Sequence, residues 1–394
     1  MLKGVAVRFD ILFLFASNNF CKNFPFAILG TPTMGFRMRY FSIIIFLLYF
    51  SSAYGTQLLI NHPQSESSDT VAEPGLKDVL SFPIGAAVKI KLLRNNAVYR
   101  KLIVQQFNSI TAENAMKFNS LHPEPTVFRW SDADYIVDFA KANNIRVHGH
   151  TLIWSKFNPK WVTEFQGSRT DWENLLKTHV QSIVSHFQGK VASWDVVNEA
   201  FEDNGNYKSC IWLEKLGPSY IELAFRYAHE CDPDALLFYN DYGHEFGGRK
   251  LQAILNMAKD FKRRGVPISG LGLQMHTVVR MEDAKIAKTL RTVAAAGLKV
   301  HISELEVSVR YQKPASFILD SNLALQQAEK YRAIFQAYQS IPKWQQFGIT
   351  TWNVADADSF RNSKIKNHDF PLLFDLNYKP KAAHDVLMKR IRKK

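Results

Sequence analysis

The sequence predicts an α/β fold, a (β/α)8 or TIM barrel formed by a single domain. Short apolar segments rich in β-branched and aromatic residues alternate with amphipathic segments, and eight such repeats fit into about 315 residues. Strict alternation predicts parallel strands, and near-continuous apolar strands predict a sheet covered on both faces. A dinucleotide-binding sheet is less favoured, because no Gly-x-Gly-x-x-Gly motif follows the first strand.

The predicted elements follow this alternation along the chain. The apolar runs that predict strands are residues 82–88, 109–116, 146–154, 192–200, 236–243, 270–276, 299–307 and 347–354. Apolar side chains at i, i+3 and i+4 predict helices between them, at residues 132–143, 171–187, 220–230, 250–264, 282–296 and 323–340. Such barrels carry their active sites at the carboxyl ends of the strands, so polar residues that end a strand are the candidates for function.

Composition excludes several functional classes. The chain has 394 residues, 46% hydrophobic and 22% charged, which is typical of a globular protein with a large core. Its net charge of +13 is concentrated at the two ends, since five basic and one acidic side chain lie in residues 1–55 and five basic ones lie in the last six residues. No basic stripe interleaved with aromatic residues occurs, so nucleic acid is not an expected partner. Three scattered cysteines predict neither a disulfide scaffold nor structural zinc.

Residues 1–55 are expected to be a leader that contains a secretory signal peptide. A cationic stretch at 34–39 precedes an apolar run at 40–50 and then small residues, which is the order of such a signal. The apolar run is about half as long as a membrane-spanning helix. We therefore expect a secreted protein, extracellular or periplasmic, without a stable membrane anchor. The start of translation is either Met34 or Met38, which we favour, or Met1 with an unusually long leader. A flexible spacer is expected at 56–79 and the barrel at 80–394.

Polar side chains end almost every predicted strand. Because these ends converge at one mouth of the barrel, and because burying many polar groups without a ligand is costly, they predict a binding site. The candidate residues are Glu113, Asn114, Lys117, His150, Trp154, Asn198, Glu199, Tyr242, Gln274, His276, Glu304, Glu306 and Trp352.

Two of these carboxylates, Glu199 and Glu304, are predicted to face each other across the barrel mouth. Glycoside hydrolysis needs this arrangement, because one carboxyl group protonates the leaving oxygen while the other attacks the anomeric carbon. A metal site that uses His150 and His276 is the rival interpretation. It is less favoured, because no His-x-x-x-His motif or carboxylate cluster with metal spacing occurs. We therefore expect no metal and no cofactor.

Three strand ends carry a more specific pattern. The segments 149–154 (GHTLIW), 194–200 (WDVVNEA) and 303–305 (SEL) resemble glycoside hydrolase family 10, the retaining endo-β-1,4-xylanases. The resemblance spans residues 80–390. It implies that β-1,4-xylan and xylo-oligosaccharides are the substrates, that Glu199 is the general acid/base and that Glu304 is the nucleophile of a covalent xylosyl-enzyme.

The resemblance also implies roles for the other candidates. Asn198 would hold the 2-hydroxyl of the sugar beside the cleaved bond, and His276, oriented by Glu306, would hydrogen-bond the nucleophile. The expected sugar contacts are Lys117, His150 and Trp352 at the central subsite with Trp154 packed against it, Gln274 between the carboxylates, Glu113 and Asn114 on the non-reducing side, and Tyr242 on the leaving-group side.

Several positions depart from the family pattern. The His-Ser-Gln that usually follows the strand-three Trp is Ser155-Lys156-Phe157, and the family's Asp two residues after the nucleophile is Glu306. Further departures replace an Asn by Gly243, a second Trp by Phe360, a Gly by Asn353 and a Thr by Ala355. The catalytic pair is intact, so we expect hydrolysis, while chain-length preference, endo versus exo cleavage and tolerance of branched substrate stay open.

The two carboxylates are expected to differ in charge. Glu304 should be ionised, and its negative charge should raise the pKa of Glu199. The alternatives to a xylanase are a barrel that binds xylo-oligosaccharide with little or no turnover and a hydrolase that acts on a β-1,4-glucan. A monomer is expected, and the pairing of Cys210 with Cys231 is left open.

Overall fold

The computed structural model describes residues 73–310, 319–364 and 369–389. Its strands, within those residues, are β1 (Ile84–Val88), β2 (Ser109–Ala112), β3 (Arg146–Trp154), β4 (Ser193–Asn198), β5 (Leu236–Asp241), β6 (Gly270–Leu273), β7 (His276–Val278), β8 (Lys299–Ser308) and β9 (Gln346–Thr351).

The strands form a closed parallel barrel with eight positions. Neighbours in sequence pair in parallel from β1 to β6, β1 pairs with β9, and β9 pairs with β8. The barrel closes because β8 also pairs with β6. β7 continues the position of β6 after an interruption at Gln274 and Met275, and it pairs with the second half of β8. The predicted (β/α)8 barrel is confirmed.

A helix of eight or more residues follows each of the eight strand positions. The helices are α1 (Leu76–Val79), α2 (Ile90–Asn95), α3 (Ala97–Gln106), α4 (Phe118–Leu121), α5 (Ser131–Ala142), α6 (Lys160–Thr163), α7 (Arg169–His186), α8 (Ile211–Leu216), α9 (Ser219–Cys231), α10 (Gly248–Arg263), α11 (Asp283–Ala295), α12 (Ser321–Gln339), α13 (Phe360–Lys364) and α14 (Ala382–Lys389). Short 3-10 turns occupy His244–Phe246, Lys343–Gln345 and Asp356–Asp358.

Burial explains why these segments take these forms. Every residue of β1, β2, β4 and β6 is buried, as expected for strands with helices outside and side chains inside the barrel. Some of the longer helices begin at capping side chains: Asn96 accepts from the backbone of Tyr99, and Ser168 accepts from that of Asp171. The strand ends are therefore fixed by the core and by capped helices on the outside.

Some boundaries differ from the prediction. The second strand ends at Ala112 instead of residue 116, because the chain turns into the mouth at Glu113. The expected strand 270–276 is broken at Met275, whose φ is 61°. Helix α1 precedes the expected boundary between spacer and barrel at residue 80, and within it Leu76 is buried and its backbone donates to Gln106 Oε1 at 3.1 Å.

The expected signal peptide and start codons lie outside the described residues. No helix within the described ranges is long and apolar enough to cross a membrane. Cys210 and Cys231 are not joined to each other, and Cys210 Sγ accepts from the backbone of Leu213 at 3.5 Å.

Candidate active site

The candidate residues meet in one cavity at the carboxyl ends of the strands. Its volume is about 810 Å³. Twelve of the thirteen predicted residues line it, namely Glu113, Asn114, Lys117, His150, Trp154, Asn198, Glu199, Tyr242, Gln274, His276, Glu304 and Trp352. The thirteenth, Glu306, is fully buried beneath His276. The cavity wall also includes Lys156, Phe157, Gly243, Glu245, Phe246 and Phe360.

The carboxylate of Glu304, on β8, is held by two donors. Asn240 Nδ2, at the end of β5, donates to Oε1 at 2.9 Å, and His276 Nε2, at the start of β7, lies 3.2 Å from Oε2. Glu304 is 4% exposed, so both oxygens are fixed inside the cavity floor. Donors in fixed positions stabilise an ionised carboxylate, which is the form that can attack carbon.

His276 is held in its charged form from behind. Its Nδ1 lies 2.7 Å from Oε1 of Glu306, and that same oxygen accepts from Arg361 Nε at 2.7 Å. Burial alone would lower the pKa of His276, but the carboxylates of Glu306 and Glu304 outweigh it and raise the pKa to about 10. The pKa of Glu306 is lowered even though burial opposes this, because His276 and Arg361 both contact it. Four charges therefore alternate in sign from Glu304 to Arg361.

A chain of amides connects the two walls of the cavity. Asn240 Nδ2 also donates to Asn198 Oδ1 at 3.0 Å, and Gln274 Nε2 lies 3.4 Å from the same oxygen and 3.3 Å from Glu199 Oε1. Asn240 itself is fixed by Ser303, whose hydroxyl donates to its Oδ1 at 2.6 Å. The buried Nδ2 of Asn198 has no hydrogen-bond partner, so it is available to a ligand oxygen.

Asn240 needs a glycine on the neighbouring strand. A Cβ at Gly272 would lie 2.2 Å from Asn240 Oδ1, which is inside van der Waals contact. The pairing of Asn240 with Gly272 in register therefore makes the room in which the amide turns toward Glu304.

Glu199 lies on the opposite wall, where its carboxylate faces two lysines. It follows β4 with φ at 55°. Lys156 Nζ lies 3.4 Å from Oε2, and Lys208 Nζ lies 3.6 Å from the same oxygen. Burial raises the pKa of Glu199, but Lys156, Gln274 and Lys208 together lower it. The expectation that Glu304 raises this pKa is wrong, because the nearest charges to Glu199 are positive.

His150 is fixed by a buried carboxylate below the cavity. Its Nδ1 lies 2.8 Å from Asp195 Oδ2, and His148 Nε2 lies 3.1 Å from the other oxygen. Burial opposes ionisation of Asp195, but the two histidines lower its pKa well below the usual range. The ring of His150 meets that of Trp352 edge to face at 5.4 Å. Imidazole and indole thus form one rigid corner of the cavity.

Polar side chains form the end of the cavity next to β2. Lys117 Nζ donates to Asn114 Oδ1 at 2.9 Å, and Glu113 Oε2 accepts from Asn353 Nδ2 at 2.8 Å. The same Asn353 accepts from the backbone of Phe360 at 2.9 Å. Asn353 therefore links Glu113 to the start of α13 at Phe360, a contact that glycine at this position could not make.

Phe157 forms the outer part of this end. Its ring stacks on that of Trp154 with centroids 5.1 Å apart, and Lys117 Nζ lies 4.4 Å from the ring centre. Phe157 is 42% exposed, so an apolar face stands at the rim where the family pattern has an amide.

Tyr242 forms the other end, after β5. Lys208 Nζ donates to its hydroxyl at 3.4 Å, and Lys250 Nζ lies 3.8 Å from the ring centre. Gly243 follows with φ at 80°, a conformation that glycine adopts without strain. In the ranges that the structure describes, no group of three or more His, Cys, Asp and Glu residues has the geometry of a metal site.

Comparison with known families identifies this arrangement. The model of glycosyl hydrolase family 10 matches residues 76–390. The chain belongs to this family. Similar family members are named Endo-1,4-beta-xylanase B from Thermotoga neapolitana, 36% identical over 86% of this chain and 96% of the relative, and Beta-1,4-xylanase from Dictyoglomus thermophilum, 37% identical over 80% and 91%. A third, named Exoglucanase XynX from Acetivibrio thermocellus, is 35% identical over 79% of this chain and 29% of its own length.

Solved structures agree with this family 10 assignment. Xylanase 10B from Thermotoga petrophila, in complex with xylobiose, superposes with a TM-score of 0.75 at 36% identity, covering 80% of this chain and 98% of the other. A mutant of TsXylA from Thermoanaerobacterium saccharolyticum, in complex with xylotriose, gives 0.74 at 34% identity, covering 80% and 98%.

Four residues that contact the candidate carboxylates were not among the sequence candidates. Asn240 and Arg361 contact Glu304 and Glu306, and Lys156 and Lys208 contact Glu199. Asn240 lies in a polar strand end and was detectable there. The other three lie in loops or in a short helix, and the chain pattern carries no signal for which residue they reach.

Proposed function

We propose that the protein is a retaining endo-β-1,4-xylanase in which Glu304 is the nucleophile and Glu199 is the acid/base. The observation that carries this proposal is the asymmetry of the two carboxylates in one cavity. Glu304 has two fixed donors, Asn240 and His276, while Glu199 stands on the opposite wall, reached by the amide of Gln274. A retaining glycosidase requires one permanently ionised carboxylate and one that gains and loses a proton.

In the first step the Glu304 carboxylate attacks the anomeric carbon while Glu199 gives its proton to the leaving glycosidic oxygen. The bond from carbon to that oxygen breaks, and an ester to Glu304 forms. The cation of His276 and the amide of Asn240 orient the attacking carboxylate. In the second step Glu199, now ionised, removes a proton from water, which attacks the same carbon and releases Glu304.

Sugar binding is assigned to the cavity walls. The unpartnered Nδ2 of Asn198 faces the hydroxyl next to the reacting carbon, and Trp352 with His150 supports that sugar. Glu113, Asn114 and Lys117 bind toward the non-reducing end, and Tyr242 stacks on the leaving side. Relatives bound to xylobiose and xylotriose support xylo-oligosaccharides as ligands.

A β-1,4-glucan is the second candidate substrate, because one relative is named an exoglucanase. Glucose differs from xylose by a hydroxymethyl group, so the two are distinguished by shape around the ring. The competing substrate therefore belongs in the first experiment.

We also propose that the protein is exported as a monomer by the apolar segment at 40–50, with residues 1–55 as the leader. Expression of the full chain with an epitope tag at residue 394 tests this. The expected result is a shortened protein in the medium or periplasm, with the mass of one chain in size-exclusion chromatography. Retention of the whole chain in the cell contradicts the export proposal.

The test of the function is hydrolysis of soluble β-1,4-xylan by the full chain, with carboxymethyl cellulose as the competing substrate. We expect a rapid fall in viscosity, short xylo-oligosaccharides, and a β-anomer as the first product by proton NMR. Glu304→Gln should abolish cleavage, while Glu282→Gln, which changes an exposed carboxylate on the same chain, should leave it intact. Cleavage of cellulose alone would contradict the proposal that xylan is the substrate. Binding of xylotriose without cleavage by the unmutated chain would contradict the proposal that the protein is an enzyme.

A further inference from the structure

Two ammonium groups flank the carboxylate that the proposed function assigns as proton donor. Lys156 and Lys208 approach the same oxygen of Glu199, at 3.4 and 3.6 Å. Lys156 lies in the loop after β3, and its side chain is 57% exposed; Lys208 lies in the loop after β4 and is 17% exposed. Lys156 stands at a position where the family pattern has a serine, so this cation distinguishes the chain from that pattern.

The first chemical step requires Glu199 to be protonated. A positive charge beside a carboxyl group favours the ionised form and therefore opposes that state. Among the described residues, Glu199 is the only carboxylate within 4 Å of Lys156 Nζ, whose other close contact is the ring of Trp154 at 5.2 Å. Protonation of Glu199 thus removes the nearest counter-charge of Lys156.

We propose that Lys156 is a positioning residue that sets the upper pH limit of the reaction, by favouring loss of the proton that Glu199 must donate. The inference rests on the proposed function, since it assigns Glu199 as the acid. The lowered pKa of Glu199 agrees with it, because Lys156 is the first cause that acts against burial. With Lys156 present, Glu199 loses its proton at a lower pH, so activity begins to fall at a lower pH as well.

The other charges around Glu199 do not take this role. On the opposite wall, His276 and Glu304 are paired with each other and backed by Glu306 and Arg361. Lys208 acts in the same direction as Lys156, but it is also bonded to the Tyr242 hydroxyl, so changing it alters the leaving-group side. The remaining titratable groups that line the cavity are Glu113, Lys117, His150, Tyr242 and Glu245.

The test is the dependence of kcat/KM on pH for the full chain and its variants, with linear xylopentaose as substrate. Lys156→Met keeps the aliphatic stem over Trp154 and removes the charge. We expect its alkaline limb to move up by about half a pH unit, in keeping with a half-exposed ion pair. Lys156→Arg should keep the limb where it is in the unmutated protein. Lys160→Met, which removes an 84% exposed lysine four residues away, should also leave it unchanged.

A salt titration of the unmutated protein gives an independent readout. Raising the ionic strength from about 0.01 M to about 1 M shortens the Debye length from about 30 Å to about 3 Å, which screens an exposed lysine. The alkaline limb should rise with salt in the unmutated protein and rise less in Lys156→Met. An unchanged limb in Lys156→Met, or an equal shift in Lys160→Met, overturns the inference while the xylanase proposal stands. Failure of the unmutated protein to cleave xylopentaose at any pH overturns the xylanase proposal instead.

Discussion

The two walls of the cavity treat their carboxylates in opposite ways. Glu304 contacts Asn240 and His276, and the row continues through Glu306 to Arg361 with charges of alternating sign. Glu304, Glu306 and Asn240 are almost completely buried. Glu199 instead shares one oxygen with two lysines, one of which is more than half exposed.

This difference agrees with the roles that the proposed function gives to the two carboxylates. A nucleophile needs one charge state throughout, and a row of alternating charges with buried carboxylates provides it, because every charge has a close partner. An acid/base must change its charge in every turnover, so its neighbours must bias the proton without fixing it. A solvent-exposed cation such as Lys156 provides a weak and salt-dependent bias of this kind.

Substitution of either carboxylate of the pair is expected to have the strongest effect on activity. Glu304→Ala should reduce kcat by about 10⁴-fold or more on every substrate, because no other group can form the glycosyl ester. Glu199→Ala should lose about 10²-fold to 10⁴-fold on xylopentaose. With an aryl xylobioside whose phenol leaves without a proton, Glu199→Ala should instead give a rapid burst of phenol followed by slow turnover. Stopped-flow absorbance measures the burst.

Glu282→Gln serves as the matched control and should behave as the unmutated protein does on both substrates. A burst of phenol in Glu304→Ala would contradict the assignment of Glu304 as the nucleophile. An equal loss of activity on both substrates in Glu199→Ala would contradict the assignment of Glu199 as the acid/base.

The next prediction concerns Arg361, which ends the row of charges that begins at Glu304. Arg361→Met removes one of the two cations on Glu306, and we expect the free energy of unfolding at pH 7 to fall by about 1 to 3 kcal/mol. Weaker orientation of His276 should also lower kcat. Thermal unfolding and kcat on xylopentaose measure both effects. Arg129→Met, which breaks an exposed ion pair with Glu124, should change neither by a comparable amount.

The pH dependence of this loss has a definite sign. The folded-state pKa of Glu306 is lowered, so its contribution to stability is present above its ordinary pKa and is lost as pH falls through the folded value. The difference in Tm between the unmutated protein and Arg361→Met should therefore be full at pH 7 and shrink in acid. A difference that grows below pH 4 would show that Arg361 stabilises the fold through another contact.

The barrel was predictable because its signal is repeated. Eight apolar strands with helices between them leave few alternative folds, and polar strand ends identify the mouth whatever the details of each loop. Boundaries were less predictable where a residue takes an unusual backbone angle. Met275 interrupts a strand that its apolar neighbours favour, and Glu113 leaves β2 for the cavity.

Prediction of the site succeeded for residues that the strands position and failed for residues that loops or short helices position. Glu304 lies within β8, His276 begins β7 and Asn198 ends β4, so the closure of the barrel brings them together. Lys208 and Arg361 reach the site from a loop and a short helix, and their partners depend on tertiary packing. The predicted direction of the pKa shift at Glu199 was wrong for this reason, because the sequence pattern does not indicate that two loop lysines contact its carboxylate.

The last prediction concerns Phe157, at the exposed rim of the cavity, where we expect a small effect on KM. Phe157 stacks on Trp154 and covers Lys117, and 42% of it is exposed, so it contributes contact area without touching either carboxylate. Phe157→Ala should raise KM for xylopentaose by about two- to tenfold, the equivalent of one aromatic contact, and leave kcat unchanged. Phe157→Tyr, which keeps the ring, should restore KM. A fall in kcat with KM unchanged would mean that the ring positions Trp154 for the chemical step, and the exposed rim would then belong to the catalytic wall.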